Sequence, residues 1–474
     1  MKRNLLSFLI ILFLLQIQVQ TLTSCANIIP PTGGPRDSLP PVLVGAVPAD
    51  STLNFKTNKV TLSFNEYVQL DNQLLQTNLV VSPNPNQAPI IMSHLREVTI
   101  RLKDSLKPNT TYSINFGNAL KDVNEGNPYK NLTYVFSTGN TIAGGELSGQ
   151  VQLAQTGKTD STLIVLLHKN LNDSAIKKLK ADYYTRLDSG GYFHFRYLEN
   201  GTYNVFVLPN DFTKKYDDST KMFAFANEPT AVSESLGEPL MLYAYNEFEP
   251  GKESIVPQNT GTQPGRKKPV DTTKNIKFLS TLERGQQDLL SDLVISFPEP
   301  VARFDSSKIS LTDTNYKAIT NYSIVADTAF KSFSLKYPWK EEQYFKLVIQ
   351  QDAFADSSGK TLAKNDTLSF QTSSESEYGS IRLRFGNLDL GRNPVLQFIQ
   401  GDKIVDSAAL TGAEFYRKLY KPGDYDLRIL YDTDKNMTWT PGSYALKRQP
   451  EISIRIPRKL TIKPNWDNEV NINL

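Results

Sequence analysis

The chain repeats itself at long range. Val60-Thr61-Leu62-Ser63-Phe64-Asn65-Glu66 has a counterpart in Leu293-Val294-Ile295-Ser296-Phe297-Pro298-Glu299, and Phe136-Ser137-Thr138 follows the first as Phe370-Gln371-Thr372 follows the second. Between them, Ala119…Asp122…Gly126 matches Ala353…Asp356…Gly359. A second motif recurs independently: Gly190…Phe193…Gly201-Thr202-Tyr203-Asn204-Val205 against Gly412…Phe415…Gly423-Asp424-Tyr425-Asp426-Leu427. Both sets fit one order of units, A–B–A′–B′, so a two-domain block is duplicated. A length of 474 residues accommodates this, at about 150 residues per domain.

Within each unit the dominant period is two. Val60, Leu62 and Phe64 alternate with Thr61 and Ser63; Val98, Ile100 and Leu102 alternate with Thr99 and Arg101; Tyr112, Ile114 and Phe116, and then Phe193, Phe195 and Tyr197, do the same. Such runs, broken by Asn, Gly, Pro and Asp every ten residues or so, predict antiparallel β-sandwiches. Helical periodicity is scarce; its best candidate is Ser174 to Tyr184, at most about three turns or else a crossover loop. The expected fold class is all-β, with tandem sandwiches at 42–140, 143–250, 276–374 and 376–474. Residues 251–275, poor in apolar side chains and rich in Pro, Gly, Gln and Lys, read as a flexible linker between the two blocks.

Charge and rare residues exclude several functions. Lys and Arg number 52 against 49 Asp and Glu, a net charge of +3, too near neutral to draw nucleic acid by its overall field. Arg266-Lys267-Lys268 is a lone basic run in the linker. One cysteine and three histidines leave no intrachain disulfide, zinc finger or Cys/His metal cage, and no cofactor is expected.

The first 24 residues read as a targeting segment. Lys2 and Arg3 precede the uncharged run Leu5 to Leu15, which is short for a membrane span of about 20 residues. Leu22-Thr23-Ser24-Cys25 then resembles the bacterial lipobox, which implies cleavage before Cys25 and acylation of its thiol. Acyl chains contribute about 0.8 kcal/mol per buried CH₂, so two or three make a stable anchor in a lipid bilayer. Residues 25–41, with Pro30-Pro31-Thr32-Gly33-Gly34-Pro35, form a Pro/Gly tether that holds the first domain off the lipid.

Unit A resembles the bacterial Ig-like domain of the S-layer-protein type. The features that carry the resemblance are Pro48-Ala49-Asp50-Ser51, Lys107-Pro108-Asn109-Thr110-Thr111-Tyr112, Leu120-Lys121-Asp122 with Gly126, and Tyr134-Val135-Phe136-Ser137-Thr138. The second copy departs, with Trp339-Lys340-Glu341-Glu342 in place of the Lys-Pro-Asn-Thr turn. Unit B resembles a transthyretin-like or carboxypeptidase-regulatory-like sandwich, through Asp188-Ser189-Gly190-Gly191-Tyr192-Phe193-His194-Phe195 with Leu198 and Gly201-Thr202-Tyr203. Taken with its tether, the chain is similar to multidomain lipoproteins of Gram-negative outer membranes. That resemblance implies a lipid-anchored location at the outer membrane, on either face.

Chemistry is sparsely signposted. No HExxH pair and no Gly-x-Ser-x-Gly elbow occurs. His168 ends an apolar strand, His194 alternates with Phe193 and Phe195, and His94 lies in a polar loop. Glu341-Glu342 and Asp217-Asp218 are adjacent pairs expected in solvated turns rather than across a cleft. Asp432, Asp434 and Asn436 place oxygens at positions 1, 3 and 5, as a calcium loop does, but Met437 replaces the glycine and Ser443 the bidentate glutamate; an Asx-rich turn is the competing explanation. Asp-Ser/Thr followed by a small or apolar residue makes Ser51, Ser105, Ser161, Ser174, Ser219, Thr272, Thr328, Thr367 and Ser407 candidates for O-glycosylation, by resemblance to sites used in some exported Gram-negative proteins. Turn entry into a strand selects the same pattern.

The expected function is therefore a non-enzymatic, lipid-anchored β-sandwich scaffold that contacts other outer-membrane or envelope proteins through loops and strand edges. A surface glycan-binding lipoprotein is the alternative, with Trp439, Tyr444 and Trp466 as an aromatic platform or as packing. A hydrolase with a site assembled between domains stands third.

Overall fold

In the strand Lys59–Phe64, Val60, Leu62 and Phe64 are buried while Lys59 is exposed, the alternation that a sheet with one covered face requires. This is the structure of the protein as a computed structural model, describing residues 36–235, 237–247 and 275–474. The targeting segment with Cys25, most of the Pro/Gly tether and nearly all of the linker lie outside the described residues. By contacts the chain forms two units, one up to residue 142 and one from 143 onward, with 82–84 counted in the second. Among the described residues, no helix is long and apolar enough to cross a membrane.

The first unit pairs Leu43–Val47, Lys59–Phe64, Glu97–Arg101 and Ile90–His94, in that order, into an antiparallel sheet. Thr111–Asn115 and Thr133–Ser137 pair as part of another. Val60, Leu62, Val98, Ile100, Ile114, Phe116 and Phe136 fill the space between. His94 proves to be the last residue of a strand, facing Glu97 across a tight turn, rather than part of a loop. Asp122 is buried and terminates a strand, its Oδ1 accepting from Glu125 N and Gly126 N at 2.7 Å each and its Oδ2 from Asn127 N at 3.0 Å.

The repeat unit in the second half of the chain keeps these devices. Gly126 and Gly359 share φ +79, a left-handed turn that glycine enters without strain, and the Asp356 carboxylate again caps it, from Ser358 N and Lys360 N. At the turn where the sequences part, the geometry does not. Thr138 Oγ1 accepts from Thr110 N at 2.9 Å and donates to Lys107 O; Thr372 Oγ1 accepts from Gln343 N at 2.9 Å and donates to Lys340 O. Asn109 and Glu342 occupy the same left-handed position. A threonine hydroxyl at the end of a strand distant in sequence holds this turn, so the residues within it are free to change.

Unit B and its copy share a topology. Gly145–Leu153 pairs antiparallel with Tyr192–Leu198 and parallel with Leu240–Asn246; Gly379–Gly386 pairs likewise with Glu414–Tyr420 and Asp467–Asn473. Leu163–His168 lies between Tyr183–Arg186 and Gly201–Pro209, as Pro394–Gln400 lies between Lys403–Ala409 and Gly423–Tyr431. In both copies a tyrosine fixes the corner: Tyr203 Oη donates to Glu199 O at 2.7 Å, Tyr425 Oη to Lys421 O at 3.1 Å. Burial pushes the Tyr203 hydroxyl up to about 12. The expected helix over 174–184 shrinks to Ala175–Lys178, because Tyr183–Arg186 is drawn out as a strand and Tyr183 is buried in the core.

Burial raises the pKa of Asp122, but the backbone N–H groups of Gly126, Glu125 and Asn127 outweigh it and hold the carboxyl below its ordinary value. A depressed carboxyl stabilises the fold above its unfolded pKa, and this contribution disappears as pH falls through the folded value. Replacing Asp122 with Ala is expected to cost about 2–4 kcal/mol, read as faster hydrogen exchange across 111–137 at neutral pH, with the difference from wild type narrowing in acid.

Candidate functional site

The longest departure between the two B units is the segment joining equivalent strands, 210–221 in the first copy and 432–451 in the second. In the second copy it holds the strongest cluster of chemical groups: carboxylate oxygens of Asp432, Asp434 and Glu451 lie within 4.8 Å of one another. Asp432 and Glu451 are buried and Asp434 is exposed.

The loop closes on its own donors. Asp432 accepts from Asn436 N at 3.2 Å and from Met437 N at 2.7 Å; Glu451 accepts from Thr433 N at 2.5 Å, Asp434 N at 3.3 Å and Thr440 N at 2.9 Å. Asp434 takes the Thr440 hydroxyl at 2.6 Å, the foremost reason its pKa lies below the usual carboxylate range. Desolvation pushes Glu451 the other way, against its three N–H bonds. Met437 adopts φ +64, the left-handed conformation for which a calcium loop uses glycine. Of the sequence candidates, Asp432 and Asp434 do meet, whereas Asn436 Oδ1 is taken up by Thr438 N and Oγ1, both at 2.6 Å. The third carboxylate is Glu451 rather than a residue at the Ser443 position. It comes from the far end of the segment, beyond the span a linear motif covers. Three hard oxygen donors suit a hard cation such as calcium, and the same oxygens already close the turn as an Asx-rich turn does.

Past this cluster the segment docks on the first B unit. Trp439 Nε1 donates to Glu451 O at 2.8 Å and turns the chain outward. Tyr444 is then buried among Phe206, Phe223 and Phe225, with ring centroids 5.9, 5.1 and 5.1 Å away. Its hydroxyl donates to Asp173 O at 3.0 Å and its N–H to Glu247 Oε1 at 3.1 Å, while Glu247 Oε2 accepts from Tyr216 Oη at 2.7 Å. Gln449 Nε2 donates to Phe225 O at 3.0 Å and Asn227 Oδ1 at 2.7 Å, and Lys447 pairs with Asp173. A side chain at Gly442 would stand 2.7 Å from Tyr245, so the approach requires glycine there. The second and fourth sandwiches thus share a hydrophobic cluster, where the sequence suggests a string of separately linked domains. The aromatic platform dissolves accordingly: Trp439 and Tyr444 belong to this joint and Trp466 stands apart, 63% exposed with Lys463 over its ring.

Other candidates are dispersed. Ser51, Ser105, Ser161, Thr328 and Thr367 are exposed; Ser174, Ser219 and Ser407 are half-buried; Thr272 and Cys25 lie outside the described residues. The preceding aspartates at 160 and 218 accept the backbone N–H two residues on, as in an Asx turn, while Asp366 and Asp406, the latter within a strand, accept from the next residue. His194 Nε2 lies 3.0 Å from Glu146 at the surface. His168 is buried edge-on to Phe206, and its Nε2 has no partner among the described residues. Burial holds its pKa below the ordinary value of 6.5, against the opposing charge of Asp182.

Residues 37–138 match the family described as a bacterial Ig-like domain, and the described residues form an all-β protein of tandem sandwiches. No curated protein matches the chain. Among solved structures, the Bacillus anthracis TIE protein is similar at 11% identity, over 94% of this chain and 75% of that one, with a TM-score of 0.17. The Bacillus cereus major pilin subunit BcpA is similar at 10% identity, over 69% and 99%, with a TM-score of 0.16. The S-layer protein rSbsC is similar at 9% identity, over 91% and 54%, also with a TM-score of 0.16.

Two outcomes are expected. Tyr444→Ala removes a buried ring from the joint and costs about 3–5 kcal/mol, seen as lost hydrogen-exchange protection in both 216–225 and 432–451, with Tyr444→Phe retaining most of it. A histidine with a depressed folded pKa withholds a proton that the unfolded chain binds, so its contribution declines as pH falls below 6.5. Denaturant titration at acid and neutral pH should therefore give lower stability in acid, and His168→Leu should narrow the gap.

Proposed function

We propose that this chain is a lipid-anchored, non-enzymatic scaffold of the outer membrane. It is tethered through an acylated Cys25 and contacts other envelope proteins through the loops and edges of its sandwiches. The observation that carries this reading is the joint itself. The most elaborate side-chain cluster among the described residues is spent on fastening one sandwich to another, with Tyr444 and Gln449 directed into protein rather than toward an open cleft. A chain built to hold domains in fixed relation suits a spacer or assembly platform better than a catalyst. The bacterial Ig-like match over 37–138 supports the same class, since that fold presents loops on a rigid frame.

Membrane attachment is the element most directly open to test. Cys25→Ala is expected to move the protein from the membrane to the soluble fraction, and metabolic labelling with a fatty-acid analogue should mark wild type but not the variant. Unchanged fractionation together with absent label would overturn the anchored reading. Mild-detergent purification of the wild type from native membranes should bring down a stoichiometric envelope protein.

A further inference from the structure

The second and fourth sandwiches also meet at a polar place. Strand register sets Gln397, Arg428 and Arg455 side by side across three strands of the fourth sandwich, on the face turned away from its core. The turn carrying Thr156 and Lys158 from the second sandwich covers them. A Cβ on Gly157 would stand 2.8 Å from the backbone of Arg455, so the two backbones are nearly in contact. A cavity of about 100 Å³ remains between them, lined by Thr156, Lys158, Asp402, Asp426, Arg428 and Arg455 among others.

The charges in this cavity do not balance. Lys158 lies 3.9 Å from Asp402, which is almost wholly exposed, and Arg455 lies 3.9 Å from Asp426. Arg428 is left over. It is 7% exposed, and its Nε donates to Gln397 Oε1 at 2.9 Å. Among the described residues no carboxylate forms an ion pair with it. Burial lowers its pKa, yet a guanidinium keeps its proton under all ordinary conditions. A buried cation of this kind costs stability unless an anion accompanies it.

We propose that this cavity binds a small tetrahedral oxyanion of the phosphate class, held by Arg428 from within and by Lys158 and Arg455 at its rim. A guanidinium fork matches paired oxygens, Arg455 stands beside it on the neighbouring strand, and Lys158 approaches from the second sandwich, an arrangement in three directions that suits a tetrahedral acceptor better than a planar one. About 10–15 Å³ suffices for a single water, so this volume admits an ion of several heavy atoms. Because the donors come from both sandwiches, the ion staples the joint and stabilises the docked arrangement.

The test is a thermal melt and a calorimetric titration of the full chain with inorganic phosphate, ionic strength being held constant with sodium chloride. Phosphate should raise the melting temperature of wild type, and Arg428→Gln should abolish that rise. Lys158→Ala, at the exposed rim, should weaken binding about tenfold. Acetate should bind more weakly than phosphate. The proposal is overturned if phosphate has no effect beyond chloride, or if Arg428→Gln responds as wild type does. Should Arg428→Gln fail to fold, unaltered phosphate binding by Lys158→Ala overturns it, and acetate binding as tight as phosphate refutes the tetrahedral assignment.

Discussion

Tyr444 is the residue on which the arrangement of the second half of the chain turns. Its ring sits among Phe206, Phe223 and Phe225, and its two polar groups are met by Asp173 and Glu247. Burying an aromatic ring with both its hydroxyl and its amide satisfied avoids the penalty that usually accompanies a buried phenol. The joint also closes a long stretch of chain, from Glu247 to Tyr444, that includes an entire sandwich. Closure entropy grows slowly, about 0.6 kcal/mol per doubling of length, so inserting a domain between the partners weakens the joint little. One well-satisfied aromatic anchor is enough to hold partners that lie far apart in the sequence.

Duplication made this possible. Equivalent strands in the two B units are joined by segments that occupy the same place in the topology, and both segments reach the shared cluster. The first supplies Tyr216, which stacks on Phe223 at 4.0 Å; the second supplies Tyr444, edge-on to Tyr216 at 6.4 Å. Glu247 receives a hydrogen bond from each of them. Two copies of one loop have become the two sides of a contact. The longer copy had room to add the Asp432, Asp434 and Glu451 cluster, which stiffens its base so that Trp439 and Tyr444 leave it in a fixed direction.

The strands were legible because a half-buried sheet imposes a period of two on local sequence, whereas Asp122 and Gly126 were legible only as a recurring pair and not as the carboxylate cap and left-handed turn they form. Thr138 and Thr372 were not legible as braces, since their partners at Lys107 and Lys340 lie 31 and 32 residues away in the chain and the turn they hold can drift to Trp-Lys-Glu-Glu. The acidic loop was half legible. Asp432 and Asp434 follow the spacing of a local motif, while Glu451 enters by tertiary folding and takes over a role that position spacing assigns to Ser443. The joint was hidden for a related reason: a buried tyrosine at a domain contact and an exposed tyrosine on a platform are the same letter. The duplication itself carried the only hint, in the unequal length of 210–221 and 432–451.

The interface between these sandwiches has an apolar end and a charged end, and the two ends act differently. Around Tyr444 the contact is made mainly by packed aromatic rings, with hydrogen bonds to Asp173 and Glu247, so its strength is set by packing and changes little with salt. Around Arg428 the protein provides more cations than carboxylates, so the contact there depends on what the solution offers. A joint made entirely of the first kind would be permanent, and one made entirely of the second would open and close with ionic conditions. Joining the two lets aromatic packing set the geometry while the unbalanced arginine adjusts how firmly that geometry is held. An apolar residue at Arg428 would remove the desolvation cost and, with it, the buried cation that draws an anion into this interface.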